Sequence, residues 1–189
     1  MTRPGVTVTD LGVGNLANVA RALAAVGAAP EVTSDPARVA AARRIVLPGV
    51  GAFRPPREAL RGGLESALGA ALEAGAQLLG ICVGYQLLFE RSDEFGSTDG
   101  LGLIPGRVTE LPGDVLRPHM GWNRLDPVRS DPLLDGVVAG GEAYFVHSFA
   151  PEDVPAEAVL ATALHGREFA AAAAVGRVRG TQFHPEKSG

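Results

Sequence analysis

The stretch Leu78 to Glu90, LLGICVGYQLLFE, contains the only cysteine of the chain, at a point where one periodicity gives way to another. Ahead of it, QLLGIC (Gln77 to Cys82) is a short, almost unbroken apolar run, the pattern of a strand buried on both faces. Behind it, Leu87, Leu88 and Phe89 have helical spacing. A lone cysteine is by itself a small apolar filler. Here, however, it sits at the carboxyl end of a strand, and Gly80-Ile81-Cys82-Val83-Gly84 has the spacing of a nucleophile elbow, G-x-S-x-G, with sulfur in place of oxygen. The two glycines allow a sharp strand-to-helix turn without Cβ clashes, with the sulfur at its apex, and the helix amino terminus behind it favours thiolate over thiol. The Val83 N–H is then aimed at a developing oxyanion.

Working outward, short apolar runs alternate with amphipathic segments. VTVTDLG (6–12), PEVTS (30–34), RRIVLPG (43–49) and QLLGIC (77–82) read as strands. NLANVARALAAVG (15–27), DPARVAAA (35–42) and one long segment, REALRGGLESALGAALEAG (57–75), read as helices. Beyond about Asp99 the chain becomes richer in strand-like runs joined by Gly, Pro and Asp turns, as in AYFVHSFAP and AVLATALHG. This order predicts an α/β fold: a mostly parallel open sheet with helices on both faces and a strand-rich second half that extends the same sheet in a partly antiparallel sense. No polar linker, repeat or composition shift divides the 189 residues, so one domain, 1–189, is expected.

Composition excludes several classes. With 17 Lys+Arg against 21 Asp+Glu, the formal charge of −4 draws no polyphosphate, and no basic stripe is interleaved with aromatics, so nucleic acid is not an expected partner. No run reaches the length of a bilayer span and the first residues lack a signal-peptide core, so no membrane association and a cytoplasmic location are expected. A single cysteine forms no intramolecular disulfide, and no His/Cys/carboxylate cluster has ligand spacing, so neither metal nor cofactor is expected.

A thiolate nucleophile needs a proton-transfer partner, and the chain has four histidines. His165, in ALHGRE, reads as a solvated turn residue. His119 and His147 lie in RPHMGWN and YFVHSF. His184 is favoured because VRGTQF delivers it to the end of a strand-like run that Pro185 stops, with Glu186 close enough to accept a hydrogen bond and fix the tautomer. In VLPGVGAF, Gly49 and Gly51 flank Val50 at the end of a buried strand and allow a peptide unit to turn its N–H toward a substrate, or to flip. DLGVGNLANV lacks the third glycine of a dinucleotide fingerprint. The residues by themselves support a cysteine acyl-transfer enzyme.

Taken together, PGVGAF, GICVGYQLLF, PHMGWN, YFVHSF, QFHPEKSG and the opening DLGVGNLANV resemble the class I glutamine amidotransferases, and within them the glutaminase subunits of imidazole glycerol phosphate synthase, from about Val6 to the end. The resemblance implies glutamine as substrate, hydrolysed to glutamate and ammonia, with ammonia passed to a separate (β/α)8-barrel cyclase subunit in histidine biosynthesis. It implies Cys82 as nucleophile, His184 as proton shuttle and Glu186 as its support. It places the oxyanion at Pro48, Gly49, Val50, Gly51 and the Val83 amide, and puts Gln86, Glu94, His147 and Ser148 around glutamine. Asn15, Asn18, Met120, Trp122 and Lys187 fall at the positions that face the cyclase. Against the family pattern the sequence ends at HPEKSG, before a final helix, which leaves His184 and Glu186 where chains tend to fray. A docking subunit with a disabled triad, or another cysteine amidase or peptidase, remains an alternative reading.

Overall fold

A computed structural model describes residues 3–188. It begins as the alternation predicts: β1 (Gly5–Thr9), α1 (Leu16–Ala25), β2 (Ala29–Thr33), α2 (Pro36–Ala40) and β3 (Arg44–Gly49). The next helical stretch departs from expectation. Instead of one helix over 57–75 there are two, α3 (Arg54–Arg61) and α4 (Leu64–Glu73), because Gly62 and Gly63 interrupt the segment and Gly63 takes φ 103, a left-handed value that ends a helix. β4 (Gln77–Cys82) follows, and then α5 (Val83–Gln86), a single turn where a longer helix was expected.

The second half is almost all strand: β5 (Arg91–Ser92), β6 (Thr98–Asp99), β7 (Arg107–Glu110), β8 (His119–Pro127), β9 (Gly141–His147), β10 (Phe149–Glu152), β11 (Val159–His165), β12 (Arg167–Val175) and β13 (Val178–Thr181). Nine strands form one sheet in the order β2-β1-β3-β4-β13-β12-β11-β8-β9. From β2 to β13 neighbours are parallel, and from β13 to β9 they are antiparallel. The antiparallel extension is therefore as large as the parallel part. A smaller sheet, β10-β7-β5-β6, was not foreseen, since two of its strands are two residues long and carry no periodicity.

Alternation along the parallel strands divides the core between two faces. Ile45, Leu47 and Leu78 pack with Leu64, Ala67, Leu68 and Ala71 of α4. Val6, Val8, Val46 and Ile81 pack with Val19 of α1 on the other side. Helices thus cover both faces, as parallel strands require.

Register decides what meets at the carboxyl edge. β3 pairs with β4 so that Gly49 lies opposite Cys82, and β13 pairs with β4 so that Thr181 lies opposite Ile81. Cys82, the residues just after Gly49 and the residues just after Thr181 therefore leave the sheet side by side.

The elbow glycines serve the expected purpose, a sharp turn without Cβ clashes, although not through their own backbone angles. Neither Gly80 nor Gly84 has positive φ; the left-handed residue is Cys82 itself, at φ 54. What the glycines supply is space. A Cβ at Gly84 would stand 1.7 Å from the Leu47 carbonyl oxygen, and one at Gly80 would stand 2.7 Å from the Gly84 oxygen and the Tyr85 Cα. The one-turn helix lies directly on the backbones of β3 and β4.

Gly84→Ala is expected to cost roughly 2–4 kcal/mol, because overpacking outweighs the roughly 0.5–1 kcal/mol that alanine gains over glycine in a helix. Gly69→Ala in α4, where an added Cβ meets nothing within 4 Å, should instead be neutral or stabilising. Urea unfolding of the two variants checks the contrast; equal stabilities would contradict the close contact.

Candidate active site

Cys82 ends β4 at φ 54 and ψ −111, a backbone conformation that costs a non-glycine residue on the order of 1–3 kcal/mol. The strain lifts the sulfur off the sheet at the start of α5, whose first N–H groups have no partner within the helix. Around it lies a pocket of about 250 Å³ whose lining includes Val50, Gly51, Val83, Gln86, Glu94 and His184. The sulfur makes two long contacts, each 3.9 Å: Sγ to the Val146 carbonyl oxygen, and Gln182 Nε2 to Sγ.

His184, three residues beyond the end of β13, is 2% exposed. Its Nδ1 donates to Glu186 Oε1 at 2.8 Å, which fixes the ring and turns the other nitrogen away from the carboxylate. Nε2 is buried and makes no hydrogen bond within the described residues. Cys82 Sγ stands outside hydrogen-bond geometry to Nε2 yet close enough to influence its charge. Burial opposes protonation of the imidazole, but the Cys82 sulfur and the Glu186 carboxylate outweigh it, and the pKa is pushed up to about 9. At neutral pH His184 is an imidazolium beside the sulfur, held from behind by Glu186.

The remaining residues divide by role. Gln86 is buried, and its Nε2 donates to the Phe149 carbonyl at 2.9 Å and to Gln182 Oε1 at 3.1 Å. Glu94, half-buried, accepts from the Phe53 N–H through Oε2 at 2.6 Å. Gly49 is set against the elbow, where a Cβ would lie 2.8 Å from Gly84 N, whereas Gly51 takes φ 83. The two glycines that flank Val50 are therefore required for different reasons. Ser148 lines the pocket beside His147, but both ring nitrogens of His147 are engaged: Nδ1–H donates to the Phe149 oxygen at 2.9 Å, and Nε2 lies 3.0 Å from His119 Nδ1.

That pair belongs to a longer chain. Asn123 Nδ2 lies 3.1 Å from His119 Nε2, so every donor and acceptor is determined: Asn123 gives to His119, His119 to His147, and His147 to the Phe149 carbonyl. Burial keeps both imidazoles neutral, lowering His147 to about 3 and, with help from His165, His119 to about 4. His165 is not the solvated turn residue expected from sequence; it closes β11, stacks on His119 at 4.1 Å and donates through Nε2 to the Leu116 oxygen.

On the outside of this wall Met120 and Trp122 are exposed on β8. Trp122 meets Tyr144 edge-on at 6.2 Å, and Lys187 Nζ lies 5.4 Å from the same Tyr144 ring. Asn15 and Asn18 open α1 at the carboxyl end of β1; Asn15 caps the helix through Asn18 N, and Asn18 binds Arg21. Sequence reading missed Gln182, Tyr144 and Asn123. Gln182 was within reach, since alternation along TQFH puts it on the same side of the strand as His184. Among the described residues no group of three or more His, Cys, Asp or Glu is placed to hold a metal ion, and no helix is long and apolar enough to cross a membrane.

The family model for Glutamine amidotransferase class-I matches residues 7–189. The chain belongs to that family. Among curated class I amidotransferase relatives, the imidazole glycerol phosphate synthase subunit HisH of Syntrophotalea carbinolica is 48% identical, with 97% of this chain and 93% of that protein covered. The HisH subunit of Salinibacter ruber is 44% identical over 96% of this chain and 87% of its own length. These identities place the chain within the HisH group of amidotransferases, as the sequence motifs imply. A solved structure described as a glutamine amidotransferase superposes with TM-score 0.77 at 19% identity, covering 96% of this chain and 90% of that one. The structure of PurLQS from Thermotoga maritima superposes with TM-score 0.74 at 21% identity, covering 98% and 89%. At these identities the superpositions establish the amidotransferase fold.

The His184 imidazole should titrate by NMR near pH 9 and move downward in Cys82→Ala, which removes the sulfur's contribution. A value unmoved by that substitution would contradict it. Since the folded pKa lies above the unfolded value, His184 adds stability that is full below about pH 6.5 and is lost as pH rises through about 9. The stability gap to His184→Gln should close over that interval.

Proposed function

We propose that this chain is the glutaminase subunit of an imidazole glycerol phosphate synthase, with Cys82, His184 and Glu186 as its catalytic triad. The observation that carries the reading is the strained Cys82 at the strand end, facing an imidazolium that Glu186 holds at 2.8 Å.

The reaction follows from that arrangement. The Cys82 thiolate attacks the carboxamide carbon of glutamine, and the carbonyl electron pair moves onto oxygen. The oxyanion is received by the Val83 N–H and by a peptide N–H of the Gly49–Gly51 strand once that strand is correctly turned. His184, already protonated, gives its Nε2 proton to the departing nitrogen; ammonia leaves and a glutamyl thioester forms. The neutral imidazole then takes a proton from water, the hydroxide adds to the thioester, and collapse returns the Cys82 thiolate, the His184 imidazolium and the side-chain carboxylic acid, which loses its proton to solvent to give glutamate. Gln86, Glu94 and the backbone at His147 and Ser148 orient the substrate. Glu94 is the acidic residue of the pocket lining, and the glutamine α-ammonium is its natural partner.

The exposed Met120 and Trp122, with Tyr144 and Lys187 beside them and Asn15 and Asn18 on the same edge, make an apolar, partly cationic rim next to the triad. An exposed apolar patch at a reaction site favours a protein partner, here a (β/α)8-barrel cyclase subunit that receives the ammonia.

Glutamate release from glutamine should be slow for the chain alone and rise with the cyclase and its nucleotide ligand, because the positive-φ Gly51 leaves the adjoining Val50 peptide free to turn until a partner fixes it. Cys82→Ala should lower the stimulated rate by roughly 10⁴-fold or more and leave cyclase binding intact. Near-parental turnover by that variant would remove the thioester mechanism. Silence of the folded parent under both conditions would leave a docking role alone.

A further inference from the structure

We propose that Glu94 positions the oxyanion-forming strand as well as binding the substrate's ammonium group, so that one carboxylate ties substrate recognition to assembly of the oxyanion site. The proposal rests on the glutaminase reading above and adds a second role to a residue which that reading uses only as a ligand.

The argument starts with how residues 49–53 are held. At one end Gly49 is fixed by its pairing with Cys82 and by contact with the Gly84 backbone. At the other end the Phe53 ring is 1% exposed in the core, which fixes the side chain but not the plane of the peptide before it. That plane is set by a single hydrogen bond, Phe53 N–H to Glu94 Oε2 at 2.6 Å. Between the two anchors lie Val50, Gly51 and Ala52, with Gly51 at φ 83 and Val50 exposed to the pocket. Loss of the Glu94 contact would free the rotation of the Ala52–Phe53 peptide and, through Gly51, that of the Val50 peptide.

Glu94 is suited to this task because α3 and the β5–β6 hairpin hold each other. Phe53 stands at the N-cap of α3 and offers no side-chain cap, so its N–H is one of the unpaired donors of the helix start, and a carboxylate there also meets the positive end of the helix dipole. In return, α3 grips the hairpin that carries Glu94. The buried Arg57 donates through Nε to the Asp99 oxygen at 2.8 Å while its two terminal nitrogens clasp Glu65 at 2.6 and 3.0 Å. Arg54 reaches the Phe95 oxygen, and Glu94 N donates to Ser92 Oγ at 3.2 Å. The carboxylate is therefore delivered to Phe53 from a braced loop, and its second oxygen is left for a ligand. An ammonium there would draw on the same carboxylate that holds the strand.

The test compares glutamine hydrolysis by Glu94→Gln and Glu94→Ala in the complex with the cyclase. Glutamine at 94 keeps a carbonyl oxygen for Phe53 N–H but loses the charge, so KM should rise by about 30-fold while kcat stays within about threefold. Alanine removes both, so KM should rise similarly and kcat should fall by about 30-fold or more, in the range of a damaged oxyanion site. Phe53 amide hydrogen exchange should stay slow in Glu94→Gln and accelerate in Glu94→Ala. Glu94→Ser, which also falls short of Phe53, should repeat the alanine kcat loss, so the comparison survives if one variant does not fold. Equal kcat values in the Gln, Ala and Ser variants, or an unchanged Phe53 exchange rate in Glu94→Ala and Glu94→Ser, would overturn the positioning role. A parent that releases no glutamate would instead overturn the glutaminase reading.

Discussion

The approach of the Gly84 backbone to the Leu47 carbonyl, too close for any side chain, is the constraint on which the site depends. It brings a single helical turn down onto two parallel strands, and the chain makes that descent from β4 through a left-handed residue at position 82. Glycine would adopt that conformation without cost, but the residue there is Cys82, so the strain falls on the cysteine and is held by the packing around it. Tyr85, fully buried one residue beyond, shows how tight that packing is: a Cβ at Gly180 would lie 2.1 Å from its ring. Strained residues persist where the surrounding structure over-determines them, and Gly49, Gly80, Gly84 and Gly180, on four different elements, let the packing do so here.

Electrostatics then acts on a geometry already fixed. Parallel pairing of β13 with β4 places His184 beside Cys82, and Glu186 binds the imidazole from the far side. The Cys82 sulfur and the Glu186 carboxylate outweigh burial for His184, whereas His119 and His147, buried without a carboxylate, are driven the other way and stay neutral. One small region therefore holds histidines whose pKa values are about 9, about 4 and about 3, and the difference separates proton chemistry from scaffolding. The neutral pair spends its donors and acceptors joining β8, which bears Met120 and Trp122, to the pocket wall at Phe149.

Much of this is legible in the sequence, and the parts that are not share a cause. Strands whose apolar runs end in glycine or cysteine, such as 43–49 and 77–82, could be read because burial on both faces leaves an unbroken hydrophobic signal. Cys82, His184 and Glu186 could be read because motif spacing places them at element ends. The break at Gly62–Gly63 was visible as composition but not as geometry, since glycine within a helical pattern only weakens it until a left-handed φ is adopted. The histidine stack of His119, His147 and His165 depends on contacts between residues far apart in the chain, which no local pattern records. The same holds for Glu94: the family resemblance implies a place beside the substrate, but only the fold shows that it touches Phe53.

The central claim, that Cys82 is a strained nucleophile serving a glutamine-shaped pocket, is tested most directly by treating the folded chain in complex with its cyclase with a glutamine-like diazoketone and locating the adduct by mass spectrometry. The account predicts a single adduct on Cys82, lost when glutamine is present in excess. Absence of an adduct from folded protein, or labelling that glutamine does not slow, would contradict it.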